Sequence, residues 1–414
     1  MIAPSSLGAA LRERRPGHAL PRAFHLDPSI YEYELETIWR RSWLLAGCSA
    51  QAPGPGDFFR FDLGDHSVVF VRDETGALNA LHNTCRHRGM AICSASAGKV
   101  RRWVCPYHQW TYALDGRLLT CGDPDEEVDF DGYGLHRAHV REVAGLVFAW
   151  LGDDPEPLDA AAGDIGRALA LQGLDRAKVA HQIDYDVEAN WKLVWHNNRE
   201  CWHCHAGHPE YVKANFDAAP EGLPVRRIAR ARGEDHARVL AAVPAGRELL
   251  TLERHDEPGL YRFPDGDRWW SANRTPLAPG FVTESLDGAP VAPLMGDYPD
   301  YDVGTLRIRG VPSFWLHASA DHAVVTRLAP AGPERTLIRV QWLVAADAVQ
   351  GRDYLPSRLL PFWRLTSEQD WSLCERNHAG IRNPAFTPGP YSARQEYNLI
   401  AFDRWYADRL NITP

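Results

Sequence analysis

The feature that most constrains this chain is a pair of short ligand-bearing loops, Cys85-Arg86-His87 and Cys105-Pro106-Tyr107-His108, separated by residues 88–104. Cys-x-His and Cys-x-x-His each present two donor side chains from one tight turn. Two such turns on neighbouring hairpins can therefore hold a four-ligand site. Two thiolates and two imidazoles suit a [2Fe–2S] cluster in which one iron takes the sulfurs and the other the nitrogens. Exchanging two thiolates for neutral imidazoles removes negative charge and raises the potential above that of an all-cysteine cluster. Such a cluster can accept electrons from a flavin- or ferredoxin-based chain. A structural zinc site also uses two Cys and two His, but zinc fingers usually keep the Cys pair apart from the His pair. Here the order is Cys-His, then Cys-His, which favours a cluster on Cys85, His87, Cys105 and His108.

The eight cysteines do not form the dense, even framework of a small secreted protein. In a chain of 414 residues, Cys interleaved with His reads as metal chemistry in a reducing compartment. The formal charge of -9 argues against a nucleic-acid partner, which needs a basic face. No apolar run approaches the roughly 18–20 residues of a membrane span, so no membrane partner is expected. The N-terminus, MIAPSSLGAALRERRPG, lacks a secretory apolar segment. A cytoplasmic location is expected; the Arg-rich, acid-poor start keeps an organellar leader as the alternative.

Along the chain, residues 1–45 read as an arm and then a helix, started by Asp27-Pro28-Ser29 and carrying Ile30, Leu35, Ile38 and Trp39 at helical spacing. Residues 46–152 change to short alternating runs. Strands are predicted at Ser67–Arg72, Leu78–Asn83 and Gly145–Leu151, with a hairpin turn at Asp115-Gly116. This is a small all-β domain. Asp153–Pro157 reads as a linker. Residues 153–414 are mixed α+β: a helix over Trp191–His205 stopped by Ala206-Gly207, strands within 305–350, and helices over 355–379 and 396–410.

A second constellation lies at 190–209, NWKLVWHNNRECWHCHAGHP. Glu200 and His203 are three apart and share one face of the predicted helix. His208 follows a glycine that lets it swing back toward His203. Two His and one carboxylate form the facial triad of non-haem Fe(II) oxygenases, with open positions for dioxygen. Spacing alone leaves the carboxylate open among Glu368, Asp370 and Glu375. Cys201-x-x-Cys204 offers a zinc half-site as the rival reading, but no matching second pair follows it.

The runs CRHRG at 85–89 and CPYHQWTY at 105–112 resemble the Rieske domain of ring-hydroxylating-type oxygenase α subunits. The second segment resembles the mononuclear iron motif of the same family. More narrowly it is similar to the branch acting on quaternary and tertiary amines: stachydrine demethylase, glycine betaine oxygenase, carnitine oxygenase and choline monooxygenase. The likeness runs from the N-terminal helix to PGPYS at 388–392. It implies a Rieske domain followed by an α+β catalytic domain whose antiparallel sheet is covered by helices in a helix-grip arrangement. It implies a mononuclear Fe(II) on His203 and His208. The likeness of SEQDWSLCERN at 367–377 to the family's C-terminal ligand helix selects Asp370 as the third ligand. Glu200 would be the acid that bridges subunits in electron transfer, where most ring-hydroxylating members carry Asp.

The resemblance further implies dioxygen as co-substrate and a separate flavin/iron–sulfur reductase or ferredoxin passing on NAD(P)H electrons. It also implies a homotrimer and a small-molecule substrate hydroxylated at a C–H bond. In the amine branch that reaction is N-demethylation or hydroxylation of a betaine-like compound. The alternative is monooxygenation of a biosynthetic intermediate without demethylation. Relatives in this branch usually carry Glu, Asn and Gln at the positions of His196, Gly207 and His378. These departures, with His205, bear on the substrate and not on the metals. The added imidazoles are either satisfied structural groups or groups that bind a carboxylate or carry a proton. Trp269, Trp270, Trp315, Trp342 and Trp363 are the candidates for an aromatic cage around a cation.

Overall fold

The computed structural model describes residues 5–121, 130–215, 238, 241, 243, 269–393 and 395–410. The chain forms two compact units, Arg40–Pro157 on the one hand and Met1–Trp39 with Leu158–Pro414 on the other.

Arg40–Pro157 is built from antiparallel strands. Leu78–His82, His66–Arg72, Asp57–Leu63 and Ala97–Lys99 form one sheet in that order. Leu44–Cys48, Leu146–Trp150 and His139–Val143 form a second. Trp103–Val104, Thr111–Tyr112 and Leu118–Thr120 form a third, small one. The core contains Phe58, Val69, Leu81, Trp103, Tyr112 and Leu118. The Asp115-Gly116 turn closes as the sequence predicts: Ala113 N donates to Arg117 O at 2.9 Å. Gly116 has φ +88°, and a Cβ there would sit 2.8 Å from Leu81 Cδ2. The left-handed backbone conformation demands glycine, and the Leu81 methyl would have to shift for any side chain.

The other unit is organised by a six-stranded antiparallel sheet. Its order is Ala177–Val187, Thr336–Ala345, Ala323–Pro330, Phe314–Ala318, Thr305–Gly310 and Trp270–Thr275. The helix Pro361–Arg382 covers one face of it. Its buried residues Trp363, Ser367, Trp371, Cys374, His378 and Ile381 recur every three or four positions, the stripe of a half-buried helix. Trp363 packs on His317 with ring centroids 4.2 Å apart, and Trp371 lies 6.2 Å from Trp315 and 6.1 Å from Tyr185. This helix-on-sheet arrangement is the expected α+β architecture.

At the N-terminus the sequence suggested an arm; Ser5–Glu13 is helical. Asp27 caps the helix Pro28–Glu34 by accepting from Ser29 N at 2.8 Å, and the chain continues through a wider π-type turn, Leu35–Trp39. Glu34 ends that helix fully buried. Its carboxylate accepts from Lys192 Nζ at 2.6 Å, from Trp191 Nε1 at 2.7 Å and from the Tyr406 hydroxyl. One acid thus ties the N-terminal helix to Trp191–Asn198 and to the closing helix Tyr397–Arg409.

The helix predicted over Trp191–His205 is shorter. It begins under the Asn190 cap and ends at Asn198. Two helix-weak asparagines close it, and Asn398 Nδ2 takes the Arg199 carbonyl at 3.2 Å, which supplies the external donor a helix C-terminus needs. Residues 199–203 form a turn, followed by the short helices Cys204–Gly207 and Pro209–Ala214. Among the described residues no helix is long and apolar enough to cross a membrane.

Candidate metal centres

The loops at Cys85 and Cys105 repeat one another. Cys85 N donates to Met90 O at 2.9 Å and Gly89 N to Cys85 O at 2.9 Å; Cys105 N donates to Trp110 O at 2.8 Å and Gln109 N to Cys105 O at 3.0 Å. Both loops turn through the left-handed region, Gly89 at φ +78° and Gln109 at φ +61°. Each therefore sends its cysteine inward and its histidine outward. Cys85 and Cys105 are free thiols buried in the core, and the His87 and His108 rings meet 4.6 Å apart near the surface. His87 stacks on Trp110 at 5.0 Å. The Tyr112 hydroxyl lies 3.2 Å from Cys85 Sγ and accepts from Arg86 N at 3.1 Å, which leaves its own hydrogen free to turn to the sulfur when that sulfur is a thiolate. Desolvation, with His87 and Arg88 alongside, holds His108 below its ordinary value and favours the neutral imidazole that a metal takes. Two inner thiols and two outer imidazoles on matched loops fit a [2Fe–2S] cluster with split ligation.

In the other unit the turn after Asn198 brings Glu200 and His203 together: Glu200 Oε1 lies 2.5 Å from His203 Nδ1. They meet across a turn and not along the face of a continuous helix. His208 stands at the junction of the two short helices, its ring 5.1 Å from that of His203. The two imidazoles point their Nε2 atoms at one oxygen, Asp370 Oδ1, at 3.3 Å for His203 and 2.9 Å for His208. Donor atoms on adjacent positions of a first-row metal with bonds of about 2.1 Å stand ~3 Å apart, so these separations suit a shared ion. Burial disfavours a proton on His203, but Asp370 and Glu200 override it and push its pKa up to about 10. Burial likewise opposes a charge on His208, and Asp370 and Gln369 outweigh it and raise the group. Asp370, which burial would raise, is held low by the same two histidines.

The three acids left open by spacing now separate. Asp370 faces the histidine pair. Glu375 accepts from Glu188 N at 3.2 Å, and Glu368 lies beside Arg364 on an exposed part of the helix. Gln369, not foreseen from the sequence, accepts from His208 Nδ1 at 2.7 Å. A neutral amide carries no metal-ligand signal; its place next to Asp370 was the available hint. Cys201 and Cys204 form a disulfide across the turn between Glu200 and His203. Cys204 Sγ lies within 4.8 Å of donor atoms of His203 and His208, but a sulfur in a disulfide is no thiolate ligand. His196 and His378 have structural partners: Asp403 Oδ1 at 3.0 Å and Glu334 Oε2 at 3.1 Å. His205 is exposed. Of the tryptophans, Trp363 packs on Tyr211 at 6.0 Å, and Tyr211 lies 6.4 Å from His208. Trp315 is wedged between Trp195 and Trp371, and Trp342 lies against His181 on the sheet.

Two family models match the chain. Residues 42–129 match the Rieske [2Fe-2S] domain, and residues 174–412 match the ring hydroxylating alpha subunit (catalytic domain). The chain is 39% identical over 407 residues to the glycine betaine monooxygenase oxygenase subunit of Chromohalobacter salexigens, covering 97% of this chain and 87% of that one. It is 36% identical over 402 residues to the Pseudomonas aeruginosa protein of the same name, covering 97% and 91%. The fold is similar to that of the quaternary ammonium Rieske monooxygenase CntA solved with L-carnitine, with a TM-score of 0.70 at 19% identity, covering 95% and 97% of the two chains. The chain belongs to the Rieske-type, ring-hydroxylating family of non-haem iron oxygenases, whose members combine a [2Fe–2S] cluster and a mononuclear iron with electrons from a reductase.

Proposed function

We propose that this protein is the oxygenase subunit of a system that hydroxylates an N-methyl C–H bond of a betaine-like quaternary or tertiary amine. The observation that carries this is the convergence of His203 Nε2 and His208 Nε2 on Asp370 Oδ1 beside the Tyr211–Trp363 ring pair, in a chain 39% identical to a glycine betaine oxygenase subunit. Aromatic faces are the usual partners of quaternary ammonium groups.

His203, His208 and Asp370 would hold the mononuclear iron, and Cys85, His87, Cys105 and His108 the cluster. The iron, when bound, supplies dioxygen activation and the cluster supplies single electrons. The chain's own residues set the geometry. Glu200 and Gln369 accept the Nδ1 hydrogens of the two histidines, which fixes both tautomers with Nε2 toward Asp370. Glu200 would also couple this centre to the cluster of an adjoining subunit in a homotrimer. A separate reductase or ferredoxin would deliver the electrons, two per turnover, with two protons and one dioxygen. One oxygen atom enters the C–H bond and the other leaves as water. The hydroxylated N-methyl group is a carbinolamine, which collapses to the demethylated amine and formaldehyde.

The test is metal and acid-labile sulfide analysis of anaerobically purified protein, followed by a panel of betaines and N-methylated amino acids scored for formaldehyde and NADH use. About three iron and two sulfide per chain are expected. Asp370→Ala should keep the sulfide and two of the iron, and release no formaldehyde. A hydroxylated product without formaldehyde would move the reading to C–H monooxygenation without demethylation. Zinc without sulfide would overturn it.

A further inference from the structure

The turn that joins Glu200 to His203 is closed by the Cys201–Cys204 disulfide, whose Cα atoms stand 5.0 Å apart. The bond is set among the candidate iron ligands. Cys204 follows His203 directly and opens the short helix Cys204–Gly207, and His208 N donates to Cys204 O at 2.9 Å. Cys204 Sγ lies 3.9 Å from His203 Nε2, the atom that faces Asp370. The sulfur and the donor atoms of His203 and His208 all lie within 4.8 Å of one another. Both cysteines are buried, but Trp202 between them is 53% exposed, so the turn reaches the surface of its unit.

A disulfide sulfur carries no charge, and only a thiolate is a metal ligand. With the bond intact the centre offers two imidazoles and one carboxylate, a set with open positions for dioxygen. Reduction adds a donor to that set. A thiolate and an imidazole bound to one zinc at about 2.3 Å and 2.1 Å, at a tetrahedral angle, stand ~3.6 Å apart. Cys204 Sγ is already within a few tenths of an ångström of that separation from His203 Nε2, so release from Cys201 and a small rotation bring it onto a shared ion. A soft thiolate favours zinc over an oxygen-activating iron, and it fills a position that dioxygen needs.

We propose that Cys201 and Cys204 are a redox switch on the mononuclear centre: as a disulfide they leave it open, and as a dithiol they add the Cys204 thiolate to the ligands His203 and His208. This rests on the assignment of those histidines as metal ligands and goes beyond the amine reading. Reduction takes two electrons and two protons from a second dithiol, which becomes a disulfide in turn; the S–S bond breaks and two S–H bonds form. Oxidation takes hydrogen peroxide, whose O–O bond breaks as both thiols lose hydrogen, giving the S–S bond and two waters. When Cys204 binds the ion, its proton passes to solvent.

The experiment uses the full chain with its cluster in place, freed of mononuclear iron by a chelator and loaded with one zinc. Zinc X-ray absorption gives the neighbouring atoms before and after a phosphine reductant, and alkylation with peptide mapping gives the state of each cysteine. The untreated protein should map with Cys201 joined to Cys204 and show only nitrogen and oxygen around zinc. The reduced protein should gain one sulfur at about 2.3 Å and bind zinc at least tenfold more tightly. Cys201→Ser should show the sulfur without reductant, and Cys204→Ser should show it under neither condition. Zinc without a sulfur neighbour in the reduced protein and in Cys201→Ser, with Cys204 mapped as a thiol, overturns the switch and leaves the histidine assignment standing. So does a native protein in which hydrogen peroxide joins no Cys201 to Cys204. Zinc held equally well by a His203→Ala, His208→Ala double variant removes the histidine assignment and the switch together.

Discussion

Replacing Gln369 tests whether the amide behind His208 is part of the metal site. The His208 side chain is 2% exposed, and its Nδ1 faces Gln369 Oε1 at 2.7 Å while Nε2 faces Asp370. In Gln369→Ala the Nδ1 hydrogen loses its acceptor, the ring is free to rotate, and the Nδ1 tautomer that leaves Nε2 open is no longer favoured. Stranding a buried donor costs about 1–3 kcal/mol. Loss of an outer partner of a metal-bound histidine typically costs about 10–100-fold in affinity, or roughly 1.4–2.8 kcal/mol. The two routes agree, so iron affinity at the mononuclear site should fall about 10–100-fold. Competition against a chelator of known affinity measures it, with the visible absorbance of the cluster as an internal control. Gln369→Glu keeps an acceptor on the same atom and should retain affinity. Unchanged iron binding in Gln369→Ala would refute the reasoning.

Tyr112→Phe removes the hydroxyl beside Cys85 Sγ; losing a hydrogen bond to a cluster sulfur should lower the reduction potential, read by redox titration of the visible spectrum. Asp321 is fully buried and accepts from Thr283 Oγ1, Val291 N and His322 Nδ1, so Asp321→Asn should destabilise the catalytic unit by about 3–5 kcal/mol, measured by chemical denaturation. Burial would raise Asp321, but His322, Thr283 and Val291 hold it low; burial would lower His322, but Asp321 and Glu284 raise it. The carboxylate's contribution is present above the ordinary carboxylate range and lost as pH falls through its depressed value. The imidazole's is present below its ordinary value and lost as pH rises through the raised one. The native-minus-variant difference should therefore be largest between roughly pH 4 and 6.5.

What was legible in the sequence was local. The two matched loops at Cys85 and Cys105 could be read because each carries its candidate ligands within four residues. The Asp115-Gly116 turn and the Asp27 cap could be read because their hydrogen bonds close within a few residues. The end of the helix at Asn198 could not, because the donor that caps Arg199 comes from Asn398. Asp370 was separable from Glu368 and Glu375 only by resemblance. Three acids on one helix differ in direction, and the structure aims one at the histidines, one at Glu188 N and one at Arg364. The added imidazoles at His196 and His378 invited a substrate role; each has a carboxylate from a distant segment, Asp403 and Glu334.

The same contrast of near and far partners bears on how the two histidines differ. His203 has a carboxylate on Nδ1 from its own turn, and His208 has a neutral amide there from a helix far along the chain. If orientation were all that either ring needed, an amide would serve both. On the proposed assignment the charge on Glu200 is then an extra property of the His203 side: it would make that imidazole the more basic ligand and the side through which an electron would enter. Glu200→Gln separates the two roles, because Gln can still accept from Nδ1. It loses the charge and one acceptor for Trp202 N. Iron content within about twofold of the native protein, with reductase-coupled formaldehyde release at least tenfold lower, is the expected result. Iron loss in step with activity would show that Glu200 does no more than Gln369 does.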